Sequence, residues 1–335
     1  MMMFGRADSM KSTFVEHARR RSLVWAGVLL AALALLTGAA QAENTHDAQI
    51  NGLAATFVAG KGKAAAIGAV IIAGSGPTDR NGNSVLGLRT DTYRLLAEAL
   101  AERGISSVRY DKRGVAGSAA AAMSEAALRV TNMADDAVTV ANWLRARPGL
   151  QAVALLGHSE GGVLALLSAA RIRPAAIVLL STPGRRLASV LREQFSRPGN
   201  HPATSAEALR ILAALERGED VAEVSPQLSA AFRPSVQPYL RSLMTIDPAA
   251  LAAKISQPLL MVGGGRDIQV GKSDFDGLLA ARTDAVAYWD PGMGHTLKDA
   301  GRTAQALQQA YTDPSVPLST GLAERIAEFI LERQR

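Results

Sequence analysis

The sequence has 335 residues, of which 48% are hydrophobic, and its mean hydropathy of +0.10 suits a globular protein with one large core or two smaller ones. It contains no cysteine, which excludes disulfide bonds, a zinc–thiolate site and a lipoprotein anchor. The formal net charge is +6, but no block of five or more basic residues follows residue 42, so a nucleic-acid partner is not expected.

The first 42 residues have the layout of a secretory signal peptide. Arg19, Arg20 and Arg21 precede an uncharged run from Ser22 to Ala40, and Ala40-Gln41-Ala42 supplies small residues for cleavage after Ala42. This pattern predicts a periplasmic or secreted protein whose remaining chain carries 31 Lys and Arg against 28 Asp and Glu. The alternative is an uncleaved membrane anchor, because about 18 to 20 apolar residues can span a bilayer.

Apolar runs of strand length alternate with helical patterns through most of the chain. Helical spacing is found in 93–104, 134–149 and 162–173, and from Leu322 to the end. The predicted strands are 65–73, 105–110, 152–157, 175–181, 258–263 and 284–290. Strands that are apolar on both faces are typical of a parallel sheet covered by helices. The pattern predicts an α/β fold with a doubly wound, mostly parallel sheet.

Residues 185–254 break this alternation. They contain helical patches separated by prolines and no convincing strand. Because a structureless loop of this length is uncommon in a compact domain, we predict a helical insertion over the sheet edge. The core would then be formed by residues 43–184 and 255–335.

The stretch GHSEGG at 157–162 matches the pattern G-x-S-x-G, with Ser159 between a predicted strand and a predicted helix. Such a sharp turn presents the serine hydroxyl above the end of the strand, where it can act as a nucleophile. Glycines at 157 and 161 fit the close approach of strand and helix. A serine that merely caps the helix is the alternative.

A serine nucleophile needs a base and a carboxylate that orients the base. Asp267 follows the predicted strand 258–263, and His295 lies in the loop after the strand 284–290. The order Ser159, Asp267, His295 places each residue after a different strand at one edge of the sheet. A turn role for Asp267 and a structural role for His295 are the alternatives, and His158 and His201 are poorer candidates for the base.

An oxyanion requires two N–H donors. The residue after the nucleophile, Glu160, supplies one, and by position we assign the other to Ser75 in the loop AGSGPTDRNGN. No metal site or organic cofactor is implied by these residues.

These blocks resemble the α/β-hydrolase superfamily, and within it the bacterial serine-aminopeptidase-like and dienelactone-hydrolase-like serine hydrolases. The resemblance rests on motifs spread over the whole chain after residue 42, namely AGSGPTDRNGN, RYDKRGVAGS, GHSEGG, FRPSVQPYLRSLMTIDP, GGGRDIQV and PGMGHTLK. It implies the catalytic roles given above for Ser159, Asp267 and His295, the oxyanion roles for Ser75 and Glu160, and a lid formed by the insertion.

The expected activity is hydrolysis of small-molecule carboxylic esters. An aminopeptidase is the first alternative, and it would need an acid, such as Glu160, Glu193 or Asp274, to hold the substrate's amine. A binding protein without turnover is the second.

Overall fold

The computed structural model describes residues 44–334, and its centre is an eight-stranded sheet. The strands are β1 (Thr45–Ile50), β2 (Leu53–Val58), β3 (Ile67–Ile72), β4 (Ser107–Tyr110), β5 (Ala152–His158), β6 (Ala176–Leu180), β7 (Leu259–Gly264) and β8 (Val286–Asp290). Their spatial order is β1-β2-β4-β3-β5-β6-β7-β8. Strands β3 to β8 pair in parallel, whereas β2 is antiparallel to β4.

Helices cover both faces of this sheet. They are α1 (Thr92–Ala101), α2 (Val130–Arg145), α3 (Glu160–Ile172), α9 (Lys272–Ala281), α10 (Ala304–Thr312) and α11 (Leu322–Leu331), and the five helices numbered between α3 and α9 belong to the 185–254 segment described below. One core cluster joins Val140 and Leu164 to Leu155, and the other joins Leu96 and Ile326 to Leu156. Neighbouring residues of β5 therefore enter different cores, as expected for a sheet buried on both sides. The predicted α/β-hydrolase-type fold is confirmed.

The strand order creates the crevice in which the site lies. The chain passes from β3 to β4 on one side and returns to β5 on the other side of β3. The connections that leave the carboxyl ends of β3 and β5 therefore diverge, which opens a crevice at that point of a parallel sheet. Ser75 follows β3 and Ser159 follows β5, so both lie at this crevice.

The 185–254 segment is helical, with α4 (Leu187–Phe195), α5 (Pro202–Glu216), α6 (Pro226–Phe232), α7 (Gln237–Met244) and α8 (Pro248–Lys254). It has a small core of its own, in which Leu212 and Leu215 pack with Phe232. Leu187, Val190 and Leu191 line a cavity next to Ser159. Leu187 and Leu191 also pack against the small core, so they join it to the cavity wall. The division of the chain at 185 and 254, and the role of the segment as a lid, stay predictions.

Sequence reasoning missed β1 and β2. Strand β1 is mostly exposed, so it lacks the apolar pattern by which the other strands were recognised. The turn between the two strands is Asn51-Gly52, with φ of 49° and 84°. Asn-Gly between two short runs is a hairpin signal, because both turn positions need positive φ. This dipeptide could have revealed the hairpin.

The signal peptide predicted for residues 1–42 lies outside the described residues, so cleavage and export stay predictions that the N-terminal sequence of the purified protein can decide. None of the helices within 44–334 combines the length and the apolar character needed to cross a membrane.

Candidate active site

Ser159 occupies a strained turn between β5 and α3. Its φ of 54° and ψ of −122° are unusual for a residue with a side chain, and such strain is concentrated at functional sites. A Cβ on Gly157 would lie 2.3 Å from the Gly161 carbonyl oxygen, and a Cβ on Gly161 would lie 2.2 Å from a carbonyl of β3. The two glycines are therefore required by close backbone contacts, and they allow the turn that presents the serine.

His295 and Asp267 form a hydrogen-bonded pair. His295 Nδ1 lies 2.8 Å from Asp267 Oδ2, and the Asp267 side chain is fully buried. Asp267 Oδ1 accepts hydrogen bonds from the backbone N–H groups of Gln269 (2.7 Å) and Val270 (2.9 Å). Burial by itself raises the pKa of Asp267, but the His295 charge and these hydrogen bonds outweigh it and lower that pKa. Asp267 is both a turn residue and the partner of the histidine.

The structure brings Ser159 and His295 to one cavity, which also contains Ser75, Thr296, Tyr311 and Leu86. We call it the histidine cavity. Among the described residues, the Ser159 hydroxyl and the His295 imidazole are not hydrogen-bonded to each other. Catalytic hydrogen bonds of free enzymes often tighten only when substrate is bound.

Two backbone N–H groups beside Ser159 are free to bind an oxyanion. Glu160 is the first residue of α3, so its N–H has no partner within the helix. Within residues 44–334, neither this N–H nor that of Ser75 donates to a protein acceptor. A Cβ on Gly74 would lie 3.2 Å from the Ser159 Cβ, which shows how closely the Ser75 loop approaches the nucleophile.

His158 connects the loop that carries His295 to the loop that carries Ser75. Its Nδ1 lies 2.7 Å from Tyr93 Oη, and its Nε2 lies 2.7 Å from the His295 carbonyl oxygen. Tyr93 Oη also accepts a hydrogen bond from the Gly74 N–H at 3.0 Å. The tyrosine proton therefore goes to Nδ1, and Nε2–H donates to the His295 carbonyl. Sequence reasoning set His158 aside as a base, and no local pattern indicated this bridging position or the part of Tyr93.

The bridge predicts a pH-dependent contribution to stability. Burial, and next the charge of His295, lower the pKa of His158 to about 3, whereas an unfolded histidine titrates near 6.5. Between these values the unfolded state binds more protons, so this stabilisation is present above about pH 6.5 and is lost as the pH falls. Urea unfolding is measured at several values from pH 7 to pH 4.5. Within the titration window, the free energy of unfolding of the wild type should fall by about 1.4 kcal/mol per pH unit more than that of His158→Gln. Equal pH dependence of the two proteins would contradict the bridge.

The acids proposed to hold a substrate amine are already engaged. Asp274 and Glu193 both pair with Arg185, at 2.7 Å in each case. Glu160 accepts hydrogen bonds from Ser75 Oγ and Tyr239 Oη.

Between residues 44 and 334, no group of three or more His, Asp or Glu side chains is arranged to hold a metal ion.

Comparisons with known proteins identify an esterase relative and structures of similar fold. Esterase EstD of Thermotoga maritima is 29% identical over 231 residues, which are 68% of this chain and 53% of that protein, so the chain spans about half the length of this curated relative. Est1E of Butyrivibrio proteoclasticus with bound ferulic acid superposes with a TM-score of 0.54 at 17% identity, over 86% of this chain and 96% of that one. A putative hydrolase of Agrobacterium vitis gives 0.51 at 17% identity, over 85% and 98% of the two chains.

These two structural matches show the fold alone. The sequence match that goes further is to the family model described as serine aminopeptidase, S33, which covers residues 86–298 and thus more than half of the chain. That range includes Ser159, Asp267 and His295. The chain therefore belongs to the S33 serine aminopeptidase family of α/β-hydrolases.

Proposed function

We propose that the protein is an exported serine hydrolase that cleaves small carboxylic esters through an acyl-enzyme on Ser159. The Ser159 hydroxyl attacks the ester carbonyl while His295 Nε2 takes its proton, and Asp267 orients the imidazole. The N–H groups of Ser75 and Glu160 bind the oxyanion. His295 then protonates the leaving alcohol, and a water molecule, deprotonated by His295, releases the acid.

One combination of features carries this proposal. A strained serine, a buried Asp–His pair and two free N–H groups meet at the crevice of a parallel sheet, and an unrelated structural role would have to explain each feature separately. Ser159 at φ 54° and the 2.8 Å contact between His295 and Asp267 are the most specific of them.

Two cavities meet at Ser159 and suggest how an ester would lie. Ser75, Ser159 and Gln269 line both the histidine cavity and a second cavity, the apolar cavity. The apolar cavity, with an empty volume of about 710 Å³ that includes open solvent, is walled by Glu160, Val163, Leu187, Val190, Leu191 and Leu243 among others. Because His295 has to reach the leaving alcohol, we assign the alcohol to the histidine cavity and the acyl chain to the apolar cavity.

The relative named Esterase EstD supports ester cleavage, whereas the family description favours peptides. An aminopeptidase requires an acid that can receive an amine. Asp274 pairs with Arg185, Glu193 pairs with Arg185 and Arg197, and both oxygens of Glu160 accept hydrogen bonds from protein hydroxyls. These contacts favour the ester.

A graded substrate series tests the proposal. Going from p-nitrophenyl acetate to butyrate, kcat/KM should rise by roughly fourfold per methylene, since burying one CH₂ contributes about 0.8 kcal/mol. Alanine and leucine p-nitroanilides, read in the same assay, should react far more slowly. Faster cleavage of the anilides would establish the aminopeptidase instead, and an absence of turnover together with an unlabelled Ser159 after fluorophosphonate treatment would establish a binding protein.

A further inference from the structure

A buried carboxylate that the proposed mechanism does not use lies beside the nucleophile. The Glu160 residue is 7% exposed, and its Oε1 accepts from Tyr239 Oη at 2.6 Å while its Oε2 accepts from Ser75 Oγ at 2.9 Å. Both partners are hydroxyl groups that donate to the carboxylate. A negative charge at this place opposes the formation of an oxyanion on the neighbouring N–H groups, so its presence needs another explanation.

The Ser75 loop is fixed at four points, of which Glu160 is one. The Gly74 N–H donates to Tyr93 Oη at 3.0 Å, and the Gly74 carbonyl accepts from Lys112 Nζ at 2.5 Å. The Ser75 carbonyl accepts from Thr78 Oγ1 at 3.0 Å. Glu160 holds the remaining group, the Ser75 hydroxyl. These contacts leave the Ser75 N–H free and set its direction.

Lys112 interacts favourably with the charge of Glu160. Its side chain is buried, and burial lowers the pKa of Lys112, whereas the Glu160 carboxylate acts in the opposite direction. The two charges hold different groups of the same loop, Lys112 the Gly74 carbonyl and Glu160 the Ser75 hydroxyl. The carboxylate can therefore serve as a structural acceptor with less repulsion of the oxyanion.

Tyr239 brings the 185–254 segment into this arrangement. It lies on α7, one turn before Leu243, and residues four apart share a helix face. Leu243 lines the apolar cavity. Burial raises the pKa of Tyr239 well above its usual value, and Glu160 raises it further, so the hydroxyl stays a donor. The same helix thus contacts the acyl side of the site and the carboxylate.

We propose that Glu160 is a positioning residue that ties α7 to the Ser75 loop, so that the wall of the apolar cavity and the oxyanion donor are set together. The proposal rests on the function proposed for Ser159. It predicts that removing the Glu160 carboxylate lowers kcat and leaves KM nearly unchanged.

Four variants test it, and each is assayed with p-nitrophenyl butyrate and by the rate of fluorophosphonate labelling of Ser159. Glu160→Ala should lower kcat and the labelling rate by roughly 10- to 100-fold, less than the 10²- to 10³-fold typical of losing an oxyanion donor outright, with KM within about twofold of wild type. Tyr239→Phe should lose roughly tenfold. The double variant should be no slower than Glu160→Ala, because both changes cut one link.

Glu160→Gln separates position from charge. Its amide oxygen can accept from Tyr239 and its N–H₂ can donate to Ser75 Oγ, so it should stay within roughly threefold of wild type. A Gln variant as slow as the Ala variant would overturn the proposal in favour of a charge effect. Wild-type kcat in both Glu160→Ala and Tyr239→Phe, or additive losses in the double variant, would overturn it as well.

Two measurements keep other failures apart. Thermal unfolding measures the stability of each variant. A variant that unfolds at a lower temperature but keeps the wild-type kcat has lost stability only. Tyr288→Phe, on β8 away from both cavities, is the matched control and should behave as wild type. If wild-type Ser159 is not labelled at all, the proposed function fails; if it is labelled and all variants react equally, only the role of Glu160 fails.

Discussion

Replacing Ser159 by alanine is expected to lower kcat for p-nitrophenyl butyrate on the order of 10⁵- to 10⁶-fold, because the variant lacks the hydroxyl that forms the acyl-enzyme. The residual rate reflects binding and the oxyanion donors, which remain. Initial rates with stopped-flow detection for wild type and overnight assays for the variant cover this range.

The fold should survive that change. Alanine keeps the backbone of the turn, and the glycines at 157 and 161 still allow the close approach of β5, α3 and β3. Urea unfolding should differ from wild type by less than about 1 kcal/mol. Ser189→Ala, a change at an exposed serine of α4, is the matched control and should retain full activity. Ester hydrolysis that persists in Ser159→Ala would remove the assignment of the nucleophile.

The proposed catalytic residues could be predicted because each lies in the connection that follows a predicted strand. The runs 152–157 and 258–263 are apolar throughout, and they match β5 and β7 to within a residue or two. Once parallel strands are recognised, their carboxyl ends must meet at one edge of the sheet. The proximity of His295 and Asp267 then follows from topology, without knowledge of side-chain packing.

The residues that support this site could not be predicted in the same way. Tyr93 is 65 positions from His158, and Tyr239 is 79 positions from Glu160. The first contact joins α1 to the end of β5 and the second joins α7 to α3, and no periodicity or turn signal encodes either of them. In the sequence, a buried tyrosine cannot be distinguished from an ordinary core residue. The polar roles of Tyr93 and Tyr239 are therefore identified only from their hydrogen-bond partners in the structure.

Asp267→Asn is expected to lower kcat by about 10⁴-fold. The reason lies in the hydrogen bonds that the Asp267 side chain accepts. The backbone N–H groups of Gln269 and Val270 both donate to Asp267 Oδ1. In the variant, these two N–H groups keep the side-chain amide oxygen in the position that Oδ1 has in the wild type. The amide N–H₂ then faces His295 Nδ1, in the position that Oδ2 holds in the wild type.

An N–H₂ group at that point can only donate, so Nδ1 of His295 must accept and the ring proton moves to Nε2. This tautomer has no lone pair with which to receive the Ser159 proton. Asp267→Ala removes the same carboxylate without imposing a tautomer, so it should be no slower than the asparagine variant and is expected to be faster. Steady-state kcat of the two variants, and the ¹⁵N shifts of the imidazole, distinguish the outcomes: a fully active Asp267→Asn protein, or one with Nε2 unprotonated, would show that Asp267 does not orient the base.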